Sequence, residues 1–187
     1  RLPRLLLVAL LALLVAGAAQ AAQFTYKATM NGPSESPPNG SLGTGSAQVD
    51  INDVTNLMHI LATFSGLTGN TSASHIHAAT AVPLTGTAGV ATTTPTFSGF
   101  PLGVKQGVYE ITLDMSLASS YNPAYVTANG GTVASARAAR FAAIAAGRAY
   151  VNIHSSSFGG GEIRGFLIDQ TTPTSATSWG RVKKLYR

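Results

Sequence analysis

The chain of 187 residues contains no cysteine. That removes disulfides, a lipidated cysteine and thiolate-ligated zinc together. Charged residues make up only 10% of the chain, and Trp179 is its one tryptophan. The formal charge of +5 does not survive division by region. Arg1, Arg4, Arg181, Lys183, Lys184 and Arg187 lie at the two ends, leaving six basic against seven acidic side chains between residues 22 and 170. No basic stripe is left to follow a phosphate backbone, so nucleic acid is not expected as a partner. A Gly-x-Ser-x-Gly elbow and a P-loop are also missing. The carboxylates Glu35, Asp50, Asp53, Glu110, Asp114, Glu162 and Asp169 show no paired spacing for acid/base work. No catalytic residue is assigned, and a hydrolase is disfavoured.

What is present divides the chain in three. Arg1 and Arg4 precede eleven apolar residues, Leu5 to Val15, and then the small residues around Ala19-Gln-Ala21. A basic start, a short apolar core and a small-residue cleavage site read as a signal peptide over 1–21, which makes the mature protein secreted or otherwise extracytoplasmic. A membrane span needs about 20 consecutive apolar residues, and this run is interrupted too early, so no transmembrane segment is expected in the mature chain. Residues 22–170 form one domain. Residues 171–187 are a Thr- and Ser-rich linker with a basic tail from Trp179 to Arg187.

Within the domain the apolar residues alternate, the period of half-buried strands. Strands are expected over Gln23 to Met30, Gly45 to Ile51, Leu57 to Ser65 and Val108 to Leu113. Arg148 to His154 and Glu162 to Ile168 flank the turn Ser155 to Gly161 as a closing hairpin. The Thr-, Gly- and Pro-rich stretch Thr80 to Pro101 reads as loop with one short strand near Gly89 to Thr93. A single helix is expected from Val133 to Ala146, capped by Thr132 and closed by Gly147.

Four histidines occur in the chain, and three fall in two strand segments: Ala73-Ser-His75-Ile-His77 and Tyr150-Val-Asn-Ile-His154. An i, i+2 pair on a strand points both imidazoles to one face, and a third from a neighbouring strand can converge on them. With Ile76, Val151, Ile153, Ile163 and Leu167 facing the core, His75, His77, His154, Glu162 and Arg164 take the outer face of the sheet, open to solvent and ligand. Three imidazoles with an open position suit copper, with zinc as the alternative. Glu162, Arg164 and Asn152 take supporting roles, orienting a ring N–H or guiding an anion. The competing expectation is that these histidines only hydrogen-bond between strands, in a structural or adhesive module without metal. His59 faces away from the bulkier apolar side of its strand and reads as a surface residue.

The segments Leu57-(x)8-Gly66-Leu67, Ala73 to His77, Asn122-Pro-Ala-Tyr125, Gly130-Gly131 and Tyr150 to Gly165 together resemble the CHRD family, the chordin-type domains of exported proteins. The resemblance implies an extracytoplasmic all-β domain, and with the strands and helix read above the expected fold is a mainly β Greek-key sandwich or barrel with one inserted helix. It implies no settled activity; a binding role toward a protein or glycan partner is the expectation. The chain is more distantly similar to copper-zinc superoxide dismutase. That similarity implies His75, His77 and His154 as three of four copper ligands and Arg164 as the residue that guides the anion, with redox catalysis as the alternative function. The fourth, bridging histidine has no counterpart in this sequence.

Overall fold

The computed structural model describes residues 23–170. The expected signal peptide and the tail beyond 170 lie outside the described residues. Eight strands form one curled antiparallel sheet, half a barrel: β1 (Gln23–Asn31), β2 (Thr44–Asn52), β3 (Leu57–Ser65), β4 (Thr71–Ala78), β5 (Gly107–Asp114), β6 (Ala149–Ser155), β7 (Ile163–Phe166) and β8 (Ile168–Asp169). Two helices, α1 (Pro123–Ala128) and α2 (Val133–Ala145), sit between β5 and β6. Among the described residues no helix is long and apolar enough to cross a membrane.

Alternation in the sequence becomes two-sidedness in the sheet. Tyr26, Ala28 and Met30 of β1, Val49 and Ile51 of β2, and Met58, Ile60, Ala62 and Phe64 of β3 are buried on the concave side, where Ile76, Val151, Ile153 and Ile163 meet them. A one-residue slip would turn every one of these to solvent, which fixes the register. The strand order is β4-β6-β7-β1-β2-β3-β5, so the chain leaves the β1–β2–β3 meander, crosses to the far edge as β4 and returns beside β3 as β5.

The stretch between β4 and β5 seals the outer edge of β4. Ala78 N–H donates to Gly89, Ala91 N–H to Ile76, Phe97 N–H to Ser74, and Thr71 N–H to Val104. A bare strand edge is thereby satisfied with main-chain bonds despite a composition that reads as loop. Within the expected short strand only isolated bridges form, at Val90 and Thr92.

Helix α2 begins and ends as its sequence signals require. Thr132 accepts from Ser135 N–H in a capping box, and Gly147 takes φ +66 beyond its last turn. Its buried face is Ala136, Arg140, Ala143 and Ile144, and it touches β4, β6 and β8. The short α1 was not expected. Asn122-Pro123 reads as a break, yet the Asn122 side chain accepts from Ala124 N–H and Pro123 supplies the preset φ of a first helical residue.

Candidate metal centre

Strands β4, β6 and β7 carry the site. In their registers Ala73 pairs with His154, His75 with Asn152, His77 with Tyr150, Asn152 with Arg164, and Tyr150 with Phe166. Directly opposed residues share a face, so His75, His77, Tyr150, Asn152, His154, Arg164 and Phe166 all stand on the side opposite Ile76, Val151 and Ile153. One nitrogen from each of His75, His77 and His154 lies within 4.8 Å of the other two.

The face is not open to solvent, contrary to the sequence expectation. His75, His77, Asn152 and Arg164 are buried and only His154 is half-buried. The cover is loop backbone from three places, and it does chemical work. His75 Nε2 lies 2.7 Å from the Pro95 carbonyl, His77 Nδ1 2.8 Å from that of Ala88, and His154 Nδ1 2.9 Å from that of Gly159. A carbonyl only accepts, so His75 Nε2 and His154 Nδ1 are the protonated nitrogens, whereas His77 has an oxygen at both nitrogens, and the shorter contact, to Ala88 rather than to Asn152 Oδ1 at 3.1 Å, assigns its proton to Nδ1. A neutral imidazole has one N–H, and the unprotonated nitrogens are then His75 Nδ1, His77 Nε2 and His154 Nε2. His75 Nδ1 and His154 Nε2 are 3.4 Å apart.

Electrostatics keeps the rings in that state. Burial lowers the His75 pKa to about 4, opposed by the Pro95 carbonyl and reinforced by His154 and His77. Burial likewise lowers those of His77 and His154, against the Ala88 and Gly159 carbonyls. His77 is further held by its ring stack on Tyr150, at 4.7 Å and 6°.

Three uncharged imidazoles, each oriented by a main-chain carbonyl on its remote nitrogen, are the arrangement metal-binding histidines adopt. In a tetrahedral site with bonds of about 2.0–2.1 Å, ligand nitrogens sit about 3.3 Å apart. The His75–His154 separation of 3.4 Å is close to that value, and a His77 nitrogen lies within 4.8 Å of the other two.

The supporting residues are placed differently from one another. Asn152 is beside His77, as described. Glu162 lies outside the three-histidine group. It is fully buried, and its carboxylate accepts from Ser41 Oγ at 2.6 Å, from Thr68 N–H and from Gly69 N–H at 3.2 Å. Burial pushes its pKa up, but hydrogen bonds from Ser155, Ser41, Thr68 and Gly69 outweigh that and hold it below the usual range. Arg164 spends its donors on the carbonyls of Ser34 and, at 3.1 Å, Gly86, and its guanidinium lies 4.7 Å from the centre of the Tyr150 ring. Tyr150 therefore stands between Arg164 and His77.

Sequence reasoning missed Glu35. It is buried beside Arg164, Oε2 to Nε 3.8 Å, on the loop after β1. Its only sequence signal was a carboxylate inside a rigid Pro-rich turn. The fourth histidine, His59, is on the far part of the sheet, with Nε2 2.9 Å from Glu110 and Nδ1 3.6 Å from Asp50.

Comparison with known proteins gives one match: the family model of the CHRD domain covers residues 26–167. No curated protein and no solved structure matches the chain.

Proposed function

The chain belongs to the CHRD domain family, and from that premise we propose that it is an exported binding module whose His75, His77 and His154 hold a single metal ion, copper in preference to zinc. The observation that carries this reading is the disposition of protons. Each ring has a loop carbonyl at its remote nitrogen, and with the N–H there three lone pairs turn inward, that of His77 beside the Asn152 Oδ1. Lone pairs that converge in a buried place repel unless a cation lies between them. Three imidazoles favour Cu(II) over Zn(II) on intrinsic affinity, with room left for a further ligand. Export is supported by the leader read over residues 1–21 and by the family itself.

A binding role suits the site better than redox turnover. A dismutase-like centre asks for a bridging fourth imidazole, and His59 is engaged elsewhere with Glu110 and Asp50. Arg164, which would guide an anion, is tied to Ser34 and Gly86. A protein or glycan partner would meet the loops that cover the histidines, so metal loading and partner binding would share one surface.

The test is a copper titration of the chelator-stripped, tag-free chain, followed by electron paramagnetic resonance, beside a variant with all three histidines changed to Ala. One-to-one binding with nitrogen hyperfine structure that the variant loses is the expected result. Equal, weak binding by both proteins would overturn the metal reading and leave a structural histidine cluster.

A further inference from the structure

The loop after β1 brings a carboxyl group with one unpartnered oxygen to the rear of the histidine cluster. Glu35 is 7% exposed, and its Oε1 has no hydrogen-bond partner among the described residues. The loop is fastened there. Asn31 pairs with Arg164, Arg164 Nε donates to the Ser34 carbonyl, and Asn39 Nδ2 donates to the carbonyls of Gly161 at 3.2 Å and Glu162 at 3.0 Å.

Oε1 points at Gly161. A Cβ at that position would lie 2.5 Å from Glu35 Oε1 and 3.0 Å from Asn152 Nδ2. A side chain has no room between the acid and the amide, and Gly161 holds φ +134, which favours glycine there as well. Across the amide is the cluster, because Asn152 Oδ1 is 3.1 Å from His77 Nε2. A second connection runs through Arg164 and Tyr150, whose ring stacks on His77. Glu35 and Gly161 line a surface cleft of about 200 Å³ together with Pro37, Asn39 and Phe158.

A divalent ion among three neutral imidazoles adds two positive charges, no ligand anion, and an Arg164 nearby. Glu162 cannot respond, since its charge is already held by Ser41, Thr68 and Gly69. We infer that Glu35 is the charge-compensating acid of this centre: it keeps its proton while the cluster is empty and yields it to solvent, through the cleft it lines, when a divalent metal binds.

The inference rests on the metal reading above. The balance is simple: the carboxylic acid becomes a carboxylate, water and then buffer take the proton, and nothing is oxidised. The charged and titratable groups facing Glu35 are Arg164 on β7 and, beyond Asn152, His77 on β4. Burial raises the Glu35 pKa to about 7 against the opposing pull of Arg164 and Ser36 N–H. At pH 6 the acid is thus mostly protonated, whereas His75, lowered by burial to about 4, has no proton to lose, and burial shifts His77 and His154 in the same direction.

The experiment is calorimetric titration of Zn(II), which is redox-silent, into the chelator-stripped chain in two buffers of different protonation enthalpy, with Glu35→Gln beside it. Wild type is expected to release about one proton per zinc at pH 6, and its affinity to rise roughly tenfold between pH 6 and 8. Glu35→Gln is expected to bind zinc with almost no proton release and a nearly flat pH profile. A readout on wild type alone accompanies it: the infrared carbonyl stretch of a protonated carboxyl at pH 6, expected to vanish on zinc addition. Equal proton release by both proteins, or a band that zinc leaves unchanged, overturns the role of Glu35 while the metal site stands. Absence of zinc and copper binding in wild type overturns the metal reading and this inference with it.

Discussion

His75 Nδ1 and His154 Nε2 face each other at 3.4 Å, yet neither ring has a proton for the other. His75 has committed its N–H to Pro95 and His154 its own to Gly159. What resembles a hydrogen bond by distance is two lone pairs in opposition. The relationship decides both what the pair binds and how the empty protein behaves in acid.

The metal-free protein is expected to lose stability below neutral pH because of these rings. An unfolded histidine takes up its proton near pH 6.5, while folded His75 refuses it until about pH 4. Between those values the unfolded chain binds more protons, so stability falls as the pH drops through that window. The His75 contribution to the loss between pH 7 and pH 5 is about 2 kcal/mol. Glu35 acts in the opposite sense: its stabilising share is complete below its ordinary value of 4.5 and fades as the pH rises through about 7. Urea denaturation with chelator present, in wild type and His75→Gln, isolates the histidine part because Glu35 is common to both. The same pH dependence in the two proteins would refute the assignment.

Glu162 is expected to matter for folding and little for metal. Its carboxylate gathers Ser41, Thr68 and Gly69, tying the loops before β2 and β4 to the β6–β7 turn. Replacing it with Ala leaves the Ser41, Thr68 and Gly69 donors unpaired, those of Ser41 and Gly69 buried, at a cost of about 3 kcal/mol. Urea midpoints would register that loss, while copper affinity of the folded fraction should stay within about threefold of wild type, since the carboxylate is outside the ligand group. A large loss of affinity with normal stability would instead make Glu162 a ligand.

The contrast between Glu162 and Glu35 shows where sequence reading stopped. The histidine triad was legible because strand alternation puts His75 and His77 on one face and the β4–β6 register needs only antiparallel pairing to add His154. The β1–β2–β3 meander and α2 were legible for similar reasons: period-two burial, a Thr132 cap, a terminal Gly147. The carbonyls of Ala88, Pro95 and Gly159 were not, because any residue supplies a carbonyl and loops carry no period. Their absence from the reading is why the site was expected on an open face. Glu35 was invisible for the same reason: its neighbours Gly161, Asn152 and Arg164 are more than a hundred positions away, brought to it by the β1–β7 pairing and the bonds of Ser34 and Asn39.

Gly165 ends the most specific motif in the sequence, and its reason is contact between backbones. A Cβ there would lie 2.2 Å from the Thr29 carbonyl oxygen and 2.8 Å from its carbon, neither of which can swing aside as a side chain would. Gly165→Ala must therefore push β7 off β1 or fail to fold, a loss of about 3 kcal/mol or more. Because Arg164 and the Glu35 loop hang on that same pairing, the folded fraction should also show a weakened pH profile for zinc. An alanine variant with unchanged urea midpoint would contradict the strand spacing.

Arg140 presents the reverse situation, a buried charge that the fold does not satisfy. It is fully buried on α2, and its three guanidinium nitrogens have no hydrogen-bond partner among the described residues. The contact that remains is with Tyr121, whose ring centre is 5.9 Å from the guanidinium carbon. Burial lowers its pKa to about 10, with Tyr121 and Tyr125 acting against that. Since folding disfavours the charged form, Arg140→Met, which keeps the length and drops the charge, is expected to raise stability by about 1–3 kcal/mol. The α2 face between Ala136, Ala143 and Ile144 has the apolar lining to accept it. A destabilisation beyond about 1 kcal/mol would mean that buried water satisfies the guanidinium and that its burial is a structural device, because only a group with bonds to lose can cost that much when it is replaced by a side chain of similar volume.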